Sequence, residues 1–283
     1  MRSRRPPSHA IRLSGRAYAL TGELESSIAT FERALEETSE RGDTMEVLRF
    51  SVLLANALID AGNYPRAAEL LGHAIASTAE SRDPILRARL WWSQSRLHEM
   101  QGDSETAAHY GRRALETLEL TEHTAYAARA HQLLAHIELD RGHAVEALEL
   151  LASGYPLIEE SGNRYEQAMF KLEHARALVQ LGRHDEAAPM AMEAAGLFND
   201  ASPTDAGRAF ALVAEVFADI GDRDKAIELY ELAEEKRPVD SSVRREIAGR
   251  LAQLLEEAGR KDEALELLKR AMQIQSASRS SAR

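Results

Sequence analysis

Residues 83–118 read DPILRARLWWSQSRLHEMQGDSETAAHYGRRALETL, two stretches of helix-forming composition that meet at Gly102. In each, apolar and small residues return at steps of three and four, the spacing of one helix face. Asp83 directly before Pro84 is a helix start: a capping carboxylate followed by proline at the first helical position. Gly102 is a helix stop, because glycine takes the left-handed conformation that closes a helix, and Asp103 is placed to begin the next one. The stretch therefore predicts two antiparallel helices joined by a short turn.

The same hairpin recurs along the chain. Glycines followed by polar residues stand at Gly22, Gly62, Gly102, Gly142, Gly182, Gly221 and Gly259, with spacings of 40, 40, 40, 40, 39 and 38. Five residues after them come Ser27, Ala67, Ala107, Ala147, Ala187, Ala226 and Ala264. Twelve after come Ala34, Ala74, Ala114, Gly154, Ala194, Ala233 and Ala271, and seven before come Gly15, Ala55, Ser95, Ala135, Ala175, Ala214 and Ala252. Three columns of small residues let paired helices approach closely, and Phe31, Leu71, Leu151, Tyr230 and Leu268 supply bulky knobs between them. Other helix starts agree: Ser202 before Pro203, and the capping-box spacings Asp43 with Glu46 and Asn163 with Glu166. In the second repeat the first helix is expected over 44–60 and the second over 64–80.

Composition removes whole classes of function. The 283 residues carry a formal net charge of −11, which disfavours direct binding of nucleic acid by the body of the chain. Arg2, Arg4 and Arg5 at one end and Arg279 and Arg283 at the other read as solubilising charges on flexible tails, 1–7 and 276–283. No cysteine is present, so disulfides, thiolate nucleophiles and cysteine metal sites are absent together. The opening MRSRRPPSHAIRL has basic residues without an apolar segment behind them, unlike a secretory signal, and no apolar run is long enough to span a membrane. The cytoplasm is the expected location. The ten histidines form no HExxH or other compact ligand set, and no phosphate-binding glycine loop, GxSxG or calcium loop is present. Neither enzymatic activity, nor a metal, nor a cofactor is expected.

The order of Trp91, Ser95, Gly102, Ala107 and Ala114 resembles the tetratricopeptide (TPR) pattern of an aromatic, a small residue, a glycine and two alanines, with a period nearer 40 than the usual 34. The resemblance covers about residues 8–275. It implies an all-α fold, a right-handed superhelical solenoid of about seven TPR-like helix hairpins. More narrowly, LRARLWWSQSRLHEMQGD, ARAHQLLAHIELDRG and DASPTDAGRAFALVAEVFADIGD resemble the C-terminal repeat domain of bacterial Xre-type transcription regulators. Those regulators carry an N-terminal DNA-binding domain, for which this sequence leaves no room before Ile11. The chain reads as a truncated relative or a stand-alone partner, and no direct nucleic-acid binding is expected of it.

In a stack of helix pairs the first helix of each pair lines the concave face. Positions thirteen, ten and six before each glycine share one face. In the middle of the array they hold Arg49, Val52, Asn56, Arg89, Trp92, Arg96, Arg129, Gln132, His136 and Arg176. Arginine forks suit carboxylates, Asn and Gln pair with peptide amides, and Trp92 offers a flat apolar platform. That stripe suits a peptide or an acidic segment of a partner protein. An equal reading is structural: the arginines pair with Asp60, Glu99, Asp140 or Glu173 and fix the superhelix. Trp91 stands at a packing position and is expected in the core. A TPR carboxylate clamp is only partly present, as Asn56 followed by Arg89, with Val52 and Ser93 where further polar or basic groups would stand.

Two functions follow. One is a ligand- or peptide-sensing module in a transcription-regulatory system; the other is a scaffold without a small ligand. The last helix, with Leu267 and Ile274 and no helix beyond to cover them, adds the expectation of a homodimer through a terminal repeat.

Overall fold

The computed structural model describes residues 8–20, 22–77, 83–160, 163–198, 203–236 and 241–281. All regular structure among them is helical. The chain divides into two compact units, Met1–Arg141 and Gly142–Arg283. The first holds α1 (Ser8–Leu20), α2 (Leu24–Glu40), α3 (Thr44–Asp60), α4 (Tyr64–Ser77), α5 (Pro84–Met100), α6 (Ser104–Glu119) and α7 (Thr124–Asp140). The second holds α8 (Ala144–Glu159), α9 (Arg164–Gln180), α10 (His184–Phe198), α11 (Pro203–Ile220), α12 (Arg223–Glu235), α13 (Ser241–Glu257) and α14 (Lys261–Ser281). The expected basic tail over 1–7, the Ser202 cap and residues 78–80 of the second repeat lie outside the described residues. Of the expected tail 276–283, α14 takes in the residues up to Ser281, while the side chains of Ile274 and Arg279 lie outside the described residues.

Local chemistry sets the helix ends. The seven repeat glycines have φ between +70° and +93°, the left-handed conformation that costs glycine least. Around Gly102 the Asp103 amide donates to the His98 carbonyl at 2.9 Å and the Gly102 amide to the Glu99 carbonyl at 2.9 Å, a Schellman closure of α5. Asp103 Oδ1 then accepts the Thr106 amide at 3.1 Å to open α6. Asp43, Asp83 and Asn163 cap α3, α5 and α9 by accepting amides of their first turns. Gly42, which does not belong to the repeat, adopts the same conformation (φ +69°) between α2 and α3.

Within each unit, consecutive helices pack against one another, and odd-numbered helices also touch the next odd one: α1 on α3, α3 on α5, and α9 on α11. The small-residue columns lie in these seams, with Ala55, Ala67, Ala107 and Ala135 in the first unit and Ala175, Ala187, Ala214 and Ala226 in the second all fully buried. Where a serine replaces alanine it ties its hairpin together. Ser95 Oγ donates to the Ala107 carbonyl at 2.8 Å, and Ser27 Oγ to the Gly15 carbonyl at 2.9 Å. Size is traded across the seam: Phe31 is larger than the leucines of its column and lies directly against Gly15. Where the knob position falls on Gly111, Leu134 from α7 fills the place, and a Cβ there would meet Leu134 Cδ1 at 3.2 Å.

Two packing expectations need correction. Leu268 is 38% exposed, not a buried knob, while Leu267, expected to lack cover, is 4% exposed. α14 packs against α13, and it buries the narrow stripe of Ala264 and Leu267 while Leu268 stands at the edge of that stripe. Trp91 is half-buried, its ring roofed by the Arg113 guanidinium 4.3 Å from the centroid. It seals the α5–α6 hairpin by a cation–π contact and not by full burial.

The glycines yield a paired prediction. A methyl group at Gly102 meets nothing within 4 Å, so Gly102→Ala bears only the left-handed backbone penalty, and urea unfolding will show a loss of about 1–2 kcal/mol. Gly72, inside α4 with equally open space around it, responds oppositely: Gly72→Ala gains up to about 1 kcal/mol of helix propensity.

Candidate functional site

The odd-numbered helices of the first unit line an open cavity of about 420 Å³. Arg16 comes from α1, Val52, Asn56 and Asp60 from α3, Arg89, Trp92, Ser93 and Arg96 from α5, and Tyr126 and Arg129 from α7. Phe31 of α2 completes the apolar floor with Val52. These helices align because the small-residue seams fix their separation, and the 40-residue repeat places equivalent turns side by side.

Of the sequence-derived groove residues, the structure brings Val52, Asn56, Arg89, Trp92, Arg96 and Arg129 together around this space. Val52 is 2% exposed, so it floors the cavity more than it presents a surface. Arg49, Gln132 and His136 share the first unit but do not line the cavity. Arg176 belongs to the second unit, on α9, where it pairs with the nearly buried Glu173 at 2.7 Å. Arg16 and Tyr126 are among the groove residues that the middle-of-array reading passed over.

Polar contacts divide the lining into occupied and available groups. Asn56 is a hub: its Nδ2 donates to the Val52 carbonyl at 2.9 Å and to Ser93 Oγ at 3.0 Å, and its Oδ1 accepts from Arg96 Nη1 at 3.1 Å. Arg96 Nη2 also meets Asp60 Oδ1 at 2.8 Å. Glu46 takes two guanidinium groups, Arg12 from α1 and Arg49 from its own helix, each at 2.8 Å. His136 Nε2 lies 3.3 Å from Glu99 and 3.8 Å from Asp140. The structural reading of the stripe thus holds for Arg96 with Asp60 and Arg176 with Glu173, while Arg49 pairs with Glu46, an acid that reading did not name, and His136 lies beside Glu99 and Asp140.

Arg89 differs. Arg89 is half-buried as a residue, and among the described residues no hydrogen bond or ion pair holds its guanidinium. Burial is the main influence lowering its pKa from the ordinary arginine value; Tyr126 opposes that, while Arg16, Arg49 and Arg12 add to it by repulsion. Arginine keeps its charge in proteins, and Arg89 lines a cavity whose lining holds four arginines and one carboxylate, Asp60, already engaged by Arg96.

Helix hairpins of this kind, with small-residue seams, glycine-closed turns and a groove lined by the first helix of each pair, define a tetratricopeptide-type repeat protein. The chain belongs to the MalT-like TPR region family, whose model matches residues 8–279. No curated protein matches the sequence. Among solved structures, it is similar to a Rap protein complexed with competence and sporulation factor, with a TM-score of 0.69 at 14% identity over 94% of this chain and 76% of that one. It is also similar to a signal-transduction ATPase of Pyrococcus horikoshii that carries a tetratricopeptide-repeat sensor, with a TM-score of 0.66 at 15% identity over 97% of this chain and 43% of that one. BtubC from P. vanneervenii gives 0.62 at 20% identity over 76% and 91%. At these identities the likeness is one of fold. No helix among the described residues is long and apolar enough to cross a membrane.

Proposed function

We propose that this chain is a non-catalytic binding module, the ligand- or peptide-sensing part of a bacterial transcription-regulatory system in the cytoplasm, and that its ligand enters the groove of the first unit. The observation that carries the reading is the cavity's lining: cations in excess of carboxylates beside the aromatic faces of Trp92 and Tyr126. Guanidinium forks and aromatic platforms together favour a peptide or an acidic segment of a partner protein. The Rap structure is a complex with competence and sporulation factor, and the ATPase carries a tetratricopeptide-repeat sensor; a module of the same fold with a charged groove fits a comparable task. Regulation follows from repeat architecture, since small changes at each helix pair accumulate along an array.

Native mass spectrometry of gently purified protein, followed by denaturation, tests the proposal: a bound peptide or metabolite is the expected finding. The Arg96→Ala, Arg129→Ala double variant then serves as control and should lose that species while retaining its helical circular dichroism. Loss of several degrees of melting temperature, with no ligand in either protein, would assign these arginines to structure alone.

A second reading, a scaffold that associates through its last repeat, draws on α14, where Leu265 (52% exposed) and Leu268 (38% exposed) stand three residues apart on one face. Sedimentation at high micromolar concentration is expected to show a dimer that Leu268→Glu returns to monomer. A wild-type chain that stays monomeric there removes this reading.

A further inference from the structure

His131 of α7 is 5% exposed, a titratable ring set into the seam between α7 and α6. It stands eleven residues before Gly142, the place that Trp91 and Phe210 hold before Gly102 and Gly221. In those repeats an aromatic ring without a titratable atom fills the position, so packing alone does not call for histidine. The two ring nitrogens have unequal surroundings. Nε2 lies 3.3 Å from Glu119 Oε1 on α6, whereas Nδ1 is buried and, among the described residues, has no hydrogen-bond partner.

An ionised carboxylate only accepts, so Nε2 carries the proton of the neutral ring and Nδ1 is left as a bare acceptor. A second proton would turn that acceptor into a buried donor and bury a charge, and both need partners. The surroundings supply none. One turn to either side on α7 stand Ala127, Ala128, Leu134 and Ala135, all buried. α6 packs against α7 and brings the buried Leu115 and Leu118, while its Arg112 is held by Glu138. Among the described residues Glu119 is the one charged group whose field reaches the ring. At 52% exposed it is screened by water and offsets little. Burial accordingly pulls the His131 pKa below the ordinary histidine value, with Glu119 opposing.

We propose that His131 is a proton-operated latch on the α6–α7 seam: the neutral ring holds the two helices closed, and protonation, which places an unanswered N–H at the buried Nδ1, opens them. At neutral pH the ring is uncharged in both the closed and the open seam, and the latch stays shut. Below about pH 6.5, where an exposed histidine titrates, the open form takes up a proton that the closed form resists. Closure therefore weakens as pH falls, until the lowered pKa of the closed form is reached. The device acts on one wall of the groove, because Tyr126 and Arg129 of the same helix line it. It stands whether or not that groove holds a ligand.

Two measurements on the full chain test the latch. In an NMR titration the ring nitrogen-15 shifts of His131, assigned through the backbone, are expected to show the Nε2–H tautomer and a midpoint below the ordinary histidine value. Native-state hydrogen exchange is then compared at about pH 7.5 and about pH 5.5, as protection factors that remove the intrinsic pH dependence. Protection in α6 and α7 should fall by about three- to tenfold, tenfold being about the ceiling for a single proton over this interval. The reference is α2 and α3, which contain no histidine and should keep their protection. In His131→Phe the fall should vanish, and His131→Gln, uncharged and smaller, makes the same comparison if the larger ring disturbs the seam.

Four results overturn the proposal: a midpoint at or above the ordinary histidine value, an Nδ1–H tautomer, protection that falls evenly from α2 to α7, or a local fall that persists without His131. The first two need no variant to fold. Glu119→Gln adds a check on the charge balance. Removing the opposing carboxylate should lower the midpoint further, and a midpoint that rises would show that another group governs the ring and would remove the latch.

Discussion

Replacing Arg112 and Arg141 together with alanine is expected to lower stability by about 3–5 kcal/mol, because it strips a fully buried carboxylate of both guanidinium partners. Glu138 on α7 has no exposed side-chain surface; Arg112 of α6 reaches it at 2.6 Å and Arg141 at 2.8 Å. The arginines themselves are 40% and 22% exposed, so their removal exposes little apolar surface and the loss reports mainly on the buried charge. Urea unfolding measures it. Adding Glu138→Leu to the double variant should recover most of the loss, since replacing a buried ionic group by an apolar one of similar volume is often neutral or favourable. A double variant within 1 kcal/mol of the parent, on the order of an exposed ion pair, would show that the arginines do not compensate Glu138.

Phe50→Ala is the second large effect. Phe50 of α3 is fully buried, and its ring lies 6.5 Å from that of Phe31, centroid to centroid. It belongs to the first unit's core with Leu48, Leu54 and Leu90. Truncation removes the ring from the junction of two hairpins and leaves a cavity in the core, for a loss of about 3–5 kcal/mol. Leu120, 89% exposed at the end of α6, is the control: Leu120→Ala should change stability by less than about 0.5 kcal/mol. In a repeat array each hairpin stabilises its neighbours, so hydrogen exchange of Phe50→Ala should show lost protection concentrated in α2 to α5. Uniform loss across the first unit would mean that it unfolds as one cooperative block.

The hairpins were legible in the sequence because their determinants are local and repeated. A left-handed glycine, an adjacent cap and small residues at fixed offsets specify a turn and a seam regardless of what lies elsewhere. Gly42 was missed because it occurs once, off the period. The groove was legible only in part, since helical spacing gives a face but not its neighbours. Val52 shares its column with Leu172, and both are buried, so that column points partly into the seam. Tyr126 stands one turn before Arg129, beyond the three columns sampled.

A sharper signal was present in the acids. Arg49 and Arg176 each have a glutamate three residues earlier, Glu46 and Glu173, and each pairs with it. Arg16, Arg89 and Arg129 have no carboxylate three or four residues away on their own helices, and all three line the cavity. Each of these arginines without an acid one helical turn away lines the cavity, although Arg96, with Glu99 three residues on, lines it too. Asp60 escaped this rule because it reaches Arg96 from the preceding odd-numbered helix.

The polar links between successive odd-numbered helices of the first unit, Arg12 to Glu46, Arg96 to Asp60 and His136 to Glu99, have a mechanical meaning. Each hairpin is a stiff part, its alanines interlocked and intolerant of strain. The links across the groove are ties of another kind, partly exposed polar pairs, each worth on the order of 1 kcal/mol. Groove width is therefore the compliant coordinate of this unit and hairpin geometry the rigid one. A ligand that draws Arg96 away from Asp60 works against a weak spring, and added salt, which screens exposed ties more than buried seams, slackens the groove without loosening the hairpins.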